Sequence, residues 1–158
     1  MDSFDLVVVG AFYGMGKRAG KYGALLMAAF NHDTGMYSTV CKLGTGFDDA
    51  FLDELPEMLD PYKSEKRPLS VDSKMVPDVW FEPTLVLEVT GAEISVSPIH
   101  TAASGIEGED SGIAIRFPRF TGRVRNDRGP DQATTVEEIE EMYRLQPGKS
   151  ESGDAKDL

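Results

Sequence analysis

Residues 85–96 read LVLEVTGAEISV, and their parity changes partway along. Leu85, Leu87 and Val89 share one face of an extended chain, whereas Ile94 and Val96 are even-numbered. The inward face therefore slips by one residue at Thr90-Gly91, as a β-bulge makes it slip, and the strand bends and continues. Strands bent in this way suit a small closed barrel.

The flanking sequence supplies the other staves. Upstream, residues 4–13 (FDLVVVGAFY) are rich in valine and aromatics and predict a strand, with Gly10 marking a bulge or a close backbone approach. A glycine-rich connection, GMGKRAGKYG, leads to a second apolar run at 24–30 (ALLMAAF). The turn Asn31-His32-Asp33-Thr34-Gly35 then opens a third strand, MYSTVCKL. Thr45 reads as the N-cap of a helix with Asp48 three residues on, followed by Phe47, Phe51, Leu52, Leu55, Met58 and Leu59 at helical spacing and a restart at Pro56. Residues 60–83 form a long surface excursion in which Val76, Val79, Trp80 and Phe81 need burial. Downstream, Gly112 to Phe120 (GIAIRFPRF) predicts a fifth strand ended by Pro118, and Thr135-Val-Glu-Glu138 is a capping box opening a helix to about Gln146. Three strands, a helix, two strands and a closing helix are the plan of a mainly β, five-stranded OB-fold barrel. Residues 1–147 are read as that domain and 148–158 as a disordered polar tail.

The chain has 158 residues, a formal net charge of −11, one cysteine and two histidines. No apolar run approaches the ~20 residues of a membrane span, and the N-terminus has no basic start before its apolar stretch, so the expectation is a soluble cytoplasmic protein with no membrane partner. Cys41, His32 and His100 form no metal-ligand spacing; no metal site is expected, and all three are read as structural. Overall acidity argues against nucleic acid, but the charge is uneven. Residues 111–130 hold five arginines against Asp127 alone, and Leu6 to Asn31 contains Lys17, Arg18 and Lys21 with no carboxylate. Two such segments can form one anion-binding face.

The glycine-rich segment is no Walker A loop, because Ala11 stands at its first glycine and Arg18 where Ser or Thr must reach magnesium; its GxGxxxG spacing also fails the dinucleotide fingerprint. It reads better as a hairpin that brings backbone amides and three cations to a phosphate backbone. In RFPRFTGRVRNDR (116–128), Arg116, Arg119, Arg123, Arg125 and Arg128 surround two phenylalanines. Guanidinium forks suit phosphate oxygens, and with one acid nearby in sequence the five arginines do not read as a self-compensated salt-bridge lattice. Phe117 has the parity of Ile113 and Ile115, which favours the core, yet Pro118 breaks the ladder beside it and can turn the ring outward to wedge between base steps.

These blocks in order, DLVVVGAFYGMGKRAGKYGALLMAAF, CKLGTGF, PDVWFEP, ISVSPIHTAASG, GIAIRFPRFTGRVRNDRGPDQATT and MYRLQ, resemble the C-terminal OB-fold domain of archaeal and eukaryotic replicative-type ATP-dependent DNA ligases. The resemblance runs from about Asp5 to Gln146. It implies that Arg116, Arg119, Arg123, Arg125, Asp127 and Arg128 belong to the last nucleotidyltransferase motif, which contacts the β and γ phosphates of ATP. It also implies that Phe117, with Arg116, presses into the minor groove at a nick, and that Lys17, Arg18 and Lys21 lie along the DNA backbone. Arg128 stands where the family commonly has lysine. No KxDG sequence occurs, so the adenylation domain that attaches AMP to its lysine is expected upstream of Met1, and the chain alone is expected to be inactive. Implied partners are nicked duplex DNA, the adenylation and DNA-binding domains and a sliding clamp, with ATP and Mg2+ bound mainly by the adenylation domain. The implied setting is cytoplasmic and nucleoid-associated, or nuclear in a eukaryote. The rival reading is a non-enzymatic OB module that binds single-stranded nucleic acid.

Overall fold

The first strand, β1 (Asp2–Tyr13), is buried on both faces: Leu6, Val7, Val8 and Val9 are all inaccessible in the computed structural model, which describes residues 2–108 and 110–148. That explains why the sequence shows a continuous apolar run there instead of alternation. Leu6 and Val8 face the barrel interior with Leu25, Met27, Leu43 and Leu87, while Val7 and Val9 pack outward against Leu26, Tyr37, Val71 and Val86. β1 pairs antiparallel with β2 (Tyr22–Phe30), and β2 with β3 (Tyr37–Leu43). Gly10 does both things expected of it. The register jumps from Val8–Met27 to Gly10–Leu26, a bulge, and a Cβ on Gly10 would lie 2.5 Å from the Pro77 ring.

Helix α1 (Asp49–Leu59) follows β3. Its N-cap is Asp48, whose carboxylate accepts the Phe51 N–H at 2.8 Å, and not Thr45 as the sequence predicted. Thr45 is committed elsewhere, its carbonyl accepting the Phe120 N–H at 2.9 Å. Nor does the helix restart at Pro56; it runs through, held by the burial of Leu55 and Leu59.

The excursion contains three short strands, β4 (Lys63–Ser64), β5 (Val71–Asp72) and β6 (Val79–Phe81). β5 pairs parallel with β3 and β6 pairs with β1, so the segment covers the outer face of the first two strands. Phe81 is fully buried and Val79 and Trp80 partly so, but Val76 is exposed, contrary to expectation. Pro77, the next residue, makes the inward contact with Gly10 instead.

The bent strand becomes β7 (Val86–Gly91) and β8 (Glu93–Ser97). β7 lies between β1 and β10 (Arg119–Val124), whereas β8 pairs with β9 (Gly112–Arg116) in a separate two-stranded sheet. The predicted slip is thus a change of sheet at Gly91, where a Cβ would sit 2.3 Å from Ile115 Cγ2. Ile94 turns inward as expected and joins the core with Ile113 and Ile115 of β9, but Val96 is partly exposed. The fifth strand breaks beside Pro118 as expected: β9 ends at Arg116, and the chain resumes as β10 from Arg119 in the larger sheet. Closure runs through Ala102, whose N–H donates to Thr39 O (3.1 Å) and whose carbonyl accepts from Ile113 N (2.9 Å), linking β3 to β9. The circuit β1, β2, β3, β9–β10, β7–β8 and back to β1 is the five-stranded OB barrel. The closing helix α2 (Val136–Leu145) is capped by Thr135, whose Oγ1 accepts the Glu138 N–H at 3.1 Å, as the sequence predicted. The expected tail at 149–158 lies outside the described residues.

Candidate nucleic-acid interface

At the corner between β9 and β10 the chain adopts φ +53° at Phe117. A left-handed residue reverses the side-chain alternation set by buried Ile113 and Ile115, and Pro118 has no N–H with which to rejoin the ladder. The Phe117 ring is therefore 70% exposed, which decides the orientation the sequence left open. The Arg116 guanidinium lies 4.9 Å from the ring centroid and pairs with Glu93 at 3.2 Å. Arg119, the first residue of β10, is exposed and forms no ion pair among the described residues.

Beyond the corner β10 bulges. Its register with β7 passes from Phe120–Val89 to Val124–Leu87, so two extra residues are accommodated around Gly122, at φ +97°. The distortion brings the later arginines over two carboxylates that face each other across β1 and β7, Asp5 and Glu88. Arg125 Nη1 donates to both Asp5 oxygens at 3.1 Å, while its Nε and Nη2 form a fork on Asp127 at 3.1 Å; Glu88 lies 3.8 Å away. Its side chain is only 11% exposed. Arg128 Nε contacts Asp5 Oδ2 at 3.3 Å, and its Nη1 donates to Gln132 O at 3.2 Å. Arg123 approaches Glu88 at 3.7 Å. The Arg125 hydrogen bonds hold the Asp127 carboxyl down at about 2 and raise the guanidinium in turn.

Four of the five arginines are consequently ion-paired, which overturns the expectation that one nearby acid leaves them uncompensated. The compensating acids, Asp5, Glu88 and Glu93, come from strands far away in sequence. Glu88 had a signal that was missed: it is the single charge in LVLEV, and a carboxylate within an apolar strand needs a cationic partner.

The glycine-rich hairpin meets this surface at the loop before α1. Arg18 points inward, donating from Nη1 to the carbonyls of Gly23 and Gly44 at 2.8 Å, with its guanidinium 5.7 Å from the Phe47 ring centroid. Phe47 in turn packs on Phe120 of β10. Lys21 pairs with Asp53 of α1, and Lys17 is exposed at the hairpin tip without an ion pair among the described residues. On the other side, Arg125 and Arg128 line an open cavity of about 420 Å³ with Glu57, Met58, Tyr62 and Leu85. Among the described residues no three His, Cys, Asp or Glu side chains converge as a metal site. His100 and Cys41 are buried, and burial pushes the imidazole down to about 4 and the thiol up to about 12. No helix of the described residues is long and apolar enough to cross a membrane.

A curled OB barrel with a bent, arginine-rich last strand defines an OB domain with a cationic edge, and sequence comparison makes the class specific. Residues 18–128 match the family model described as the ATP dependent DNA ligase C terminal region. The chain is 61% identical over 145 residues to the DNA ligase of Caldivirga maquilingensis and 59% identical over 146 residues to that of Pyrobaculum islandicum. Each alignment takes in 92% of this chain but only 24% and 25% of those relatives. Among solved structures, the ligase domain of M. tuberculosis LigD superposes with a TM-score of 0.61 at 25% identity, covering 84% of this chain and 38% of that one. The chain belongs to the family of ATP-dependent DNA ligase C-terminal domains.

Proposed function

We propose that this domain serves an ATP-dependent ligase that seals nicks in duplex DNA, acting first on the triphosphate and then on the nucleic acid. Its share of both steps is electrostatic and positional. In the first, AMP is transferred to a lysine of the adenylation domain, and charge develops on the departing pyrophosphate. Arg123 and Arg128, half-exposed around the fixed Arg125–Asp127 fork, offer guanidinium N–H groups to phosphate oxygens, the kind of preorganised stabilisation that dominates such transfers. The residues suit ATP as a polyanion; the accompanying Mg2+ is assigned to the adenylation domain.

In the second step the corner engages the nick. The observation that carries this reading is the exposed Phe117 ring on a left-handed backbone, flanked by Arg116 and by Arg119, which forms no ion pair among the described residues. A ring so placed adds little to the barrel core, whereas an apolar wedge flanked by cations suits insertion between base steps from the minor groove. Lys17 supplies a further backbone contact. The rival single-strand module needs aromatic platforms along the strand faces; the exposed aromatic rings among the described residues are Tyr13, Tyr62 and Phe117.

Titration of the 158-residue chain against nicked duplex and single-stranded DNA, with a parallel sealing assay, tests the proposal. Weak binding with preference for nicked duplex, and no sealing without the adenylation domain, are expected. ATP-dependent sealing by the chain alone, or a clear preference for single strands, refutes it.

A further inference from the structure

We infer that Asp5 is a positioning residue for nucleotidyl transfer, orienting the Arg128 guanidinium toward the phosphates through the shared Arg125 cluster. The inference rests on the ligase reading above and names a residue outside the arginine motif.

Asp5 stands at the hub of the cluster. Its backbone is clamped by Thr134, whose Oγ1 accepts the Asp5 N–H at 2.8 Å and whose N–H donates to the Asp5 carbonyl at 2.8 Å. Its carboxylate is 15% exposed and carries both Arg125 and Arg128. Arg125 is enclosed, with its forks filled by Asp5 and Asp127, so it acts as a fixed spacer between acids. Arg128 is different: its side chain is 43% exposed, with Nε on Asp5 and Nη1 on the Gln132 carbonyl. Nη1 is thereby hydrogen-bonded to the backbone and Nε is held in ion-pair range of Asp5, while among the described residues Nη2 has neither contact and is the nitrogen available as a donor beside the cavity that Arg125 and Arg128 line.

Such an arrangement needs an arginine. A lysine ammonium has no fork and cannot hold a carboxylate and a carbonyl from one planar group while presenting a third donor in a fixed direction. Without the Asp5 charge, Arg128 retains one backbone contact on a flexible side chain, and its orientation must be found anew in each turnover. Glu88 cannot substitute: it reaches Arg123 and Arg125 at 3.7 and 3.8 Å and forms no ion pair with Arg128.

The test is Asp5→Asn in the intact ligase carrying this domain, with self-adenylation and sealing of a pre-adenylated nick measured separately. The amide keeps the shape and one acceptor. Self-adenylation is expected to fall about tenfold or more, in kcat with the KM for ATP within about threefold, while sealing of the pre-adenylated nick stays within about twofold. Equal losses in both steps would mean a merely structural role and overturn the inference. Unchanged or faster adenylation by the variant overturns it while leaving the ligase reading intact. Failure of the wild-type protein to self-adenylate with ATP overturns both.

Discussion

Phe117 makes separable predictions for its backbone and its ring. At φ +53° a residue with a Cβ costs about 1–2 kcal/mol relative to ordinary backbone, whereas glycine escapes that cost but loses about 0.5–1 kcal/mol of chain entropy. With the ring 70% exposed, truncation removes about 60 Å² of burial from a side chain of roughly 200 Å², or about 1.5 kcal/mol. The Arg116 contact adds about 0.5–1 kcal/mol. Those losses are common to Phe117→Ala and Phe117→Gly, so the pair differs in backbone alone. The glycine variant is expected to be the more stable of the two by about 0.5–1 kcal/mol, opposite to their order at an ordinary strand position. Urea unfolding of both chains measures the difference, and a more stable alanine variant refutes the left-handed corner. In the intact ligase both variants are expected to seal nicks about tenfold more slowly, with self-adenylation within about twofold. Sealing at the wild-type rate would show that the ring is no wedge.

Three further outcomes follow from the same geometry. Gly46→Ala places a Cβ 2.3 Å from the Phe120 carbonyl at φ +97° and is expected to cost about 2–3 kcal/mol in urea unfolding; a loss under about 0.5 kcal/mol contradicts the packing of that loop on β10. His100, with Nδ1 3.1 Å from Thr39 Oγ1, is held neutral by burial down to about pH 4. The unfolded chain protonates near pH 6.5, so its contribution is complete above that pH and falls on acidification to about 4, by up to about 3 kcal/mol. His100→Gln should flatten that part of the stability profile; an unchanged slope assigns it to other groups. Arg125→Ala in the intact ligase is expected to slow self-adenylation more than sealing of a pre-adenylated nick, and equal losses in stopped-flow measurements of the two steps count against the assignment.

The barrel was legible where local rules act locally. Valine-rich runs, the parity break before Ile94 and the Thr135 cap all depend on neighbours within a few residues, and the bulge at Gly10 was legible from the residue type alone. What escaped depended on distant partners. Thr45 reads as a cap by its sequence, but its carbonyl is taken by Phe120 from β10. Val76 reads as core until Pro77 occupies the space against Gly10. The same limit governed the arginines, since counting charge along the chain finds one acid near them whereas strand pairing delivers three more. Phe117 was balanced between parity and proline, and backbone handedness settled it.

The bond between Asp5 and Arg125 spans 120 residues and ties the first stave of the barrel to the loop beyond the last. A ribosome releases Asp5 early and Arg125 late, so the arginines cannot be organised until nearly the whole domain has emerged and closed. Until then Asp5, Glu88 and Glu93 wait without their cations, and arrival of the last strand neutralises the acids and orients the arginines together. Correct folding of this domain thus doubles as a licence: only a finished barrel holds Arg125 and Arg128 in one fixed orientation.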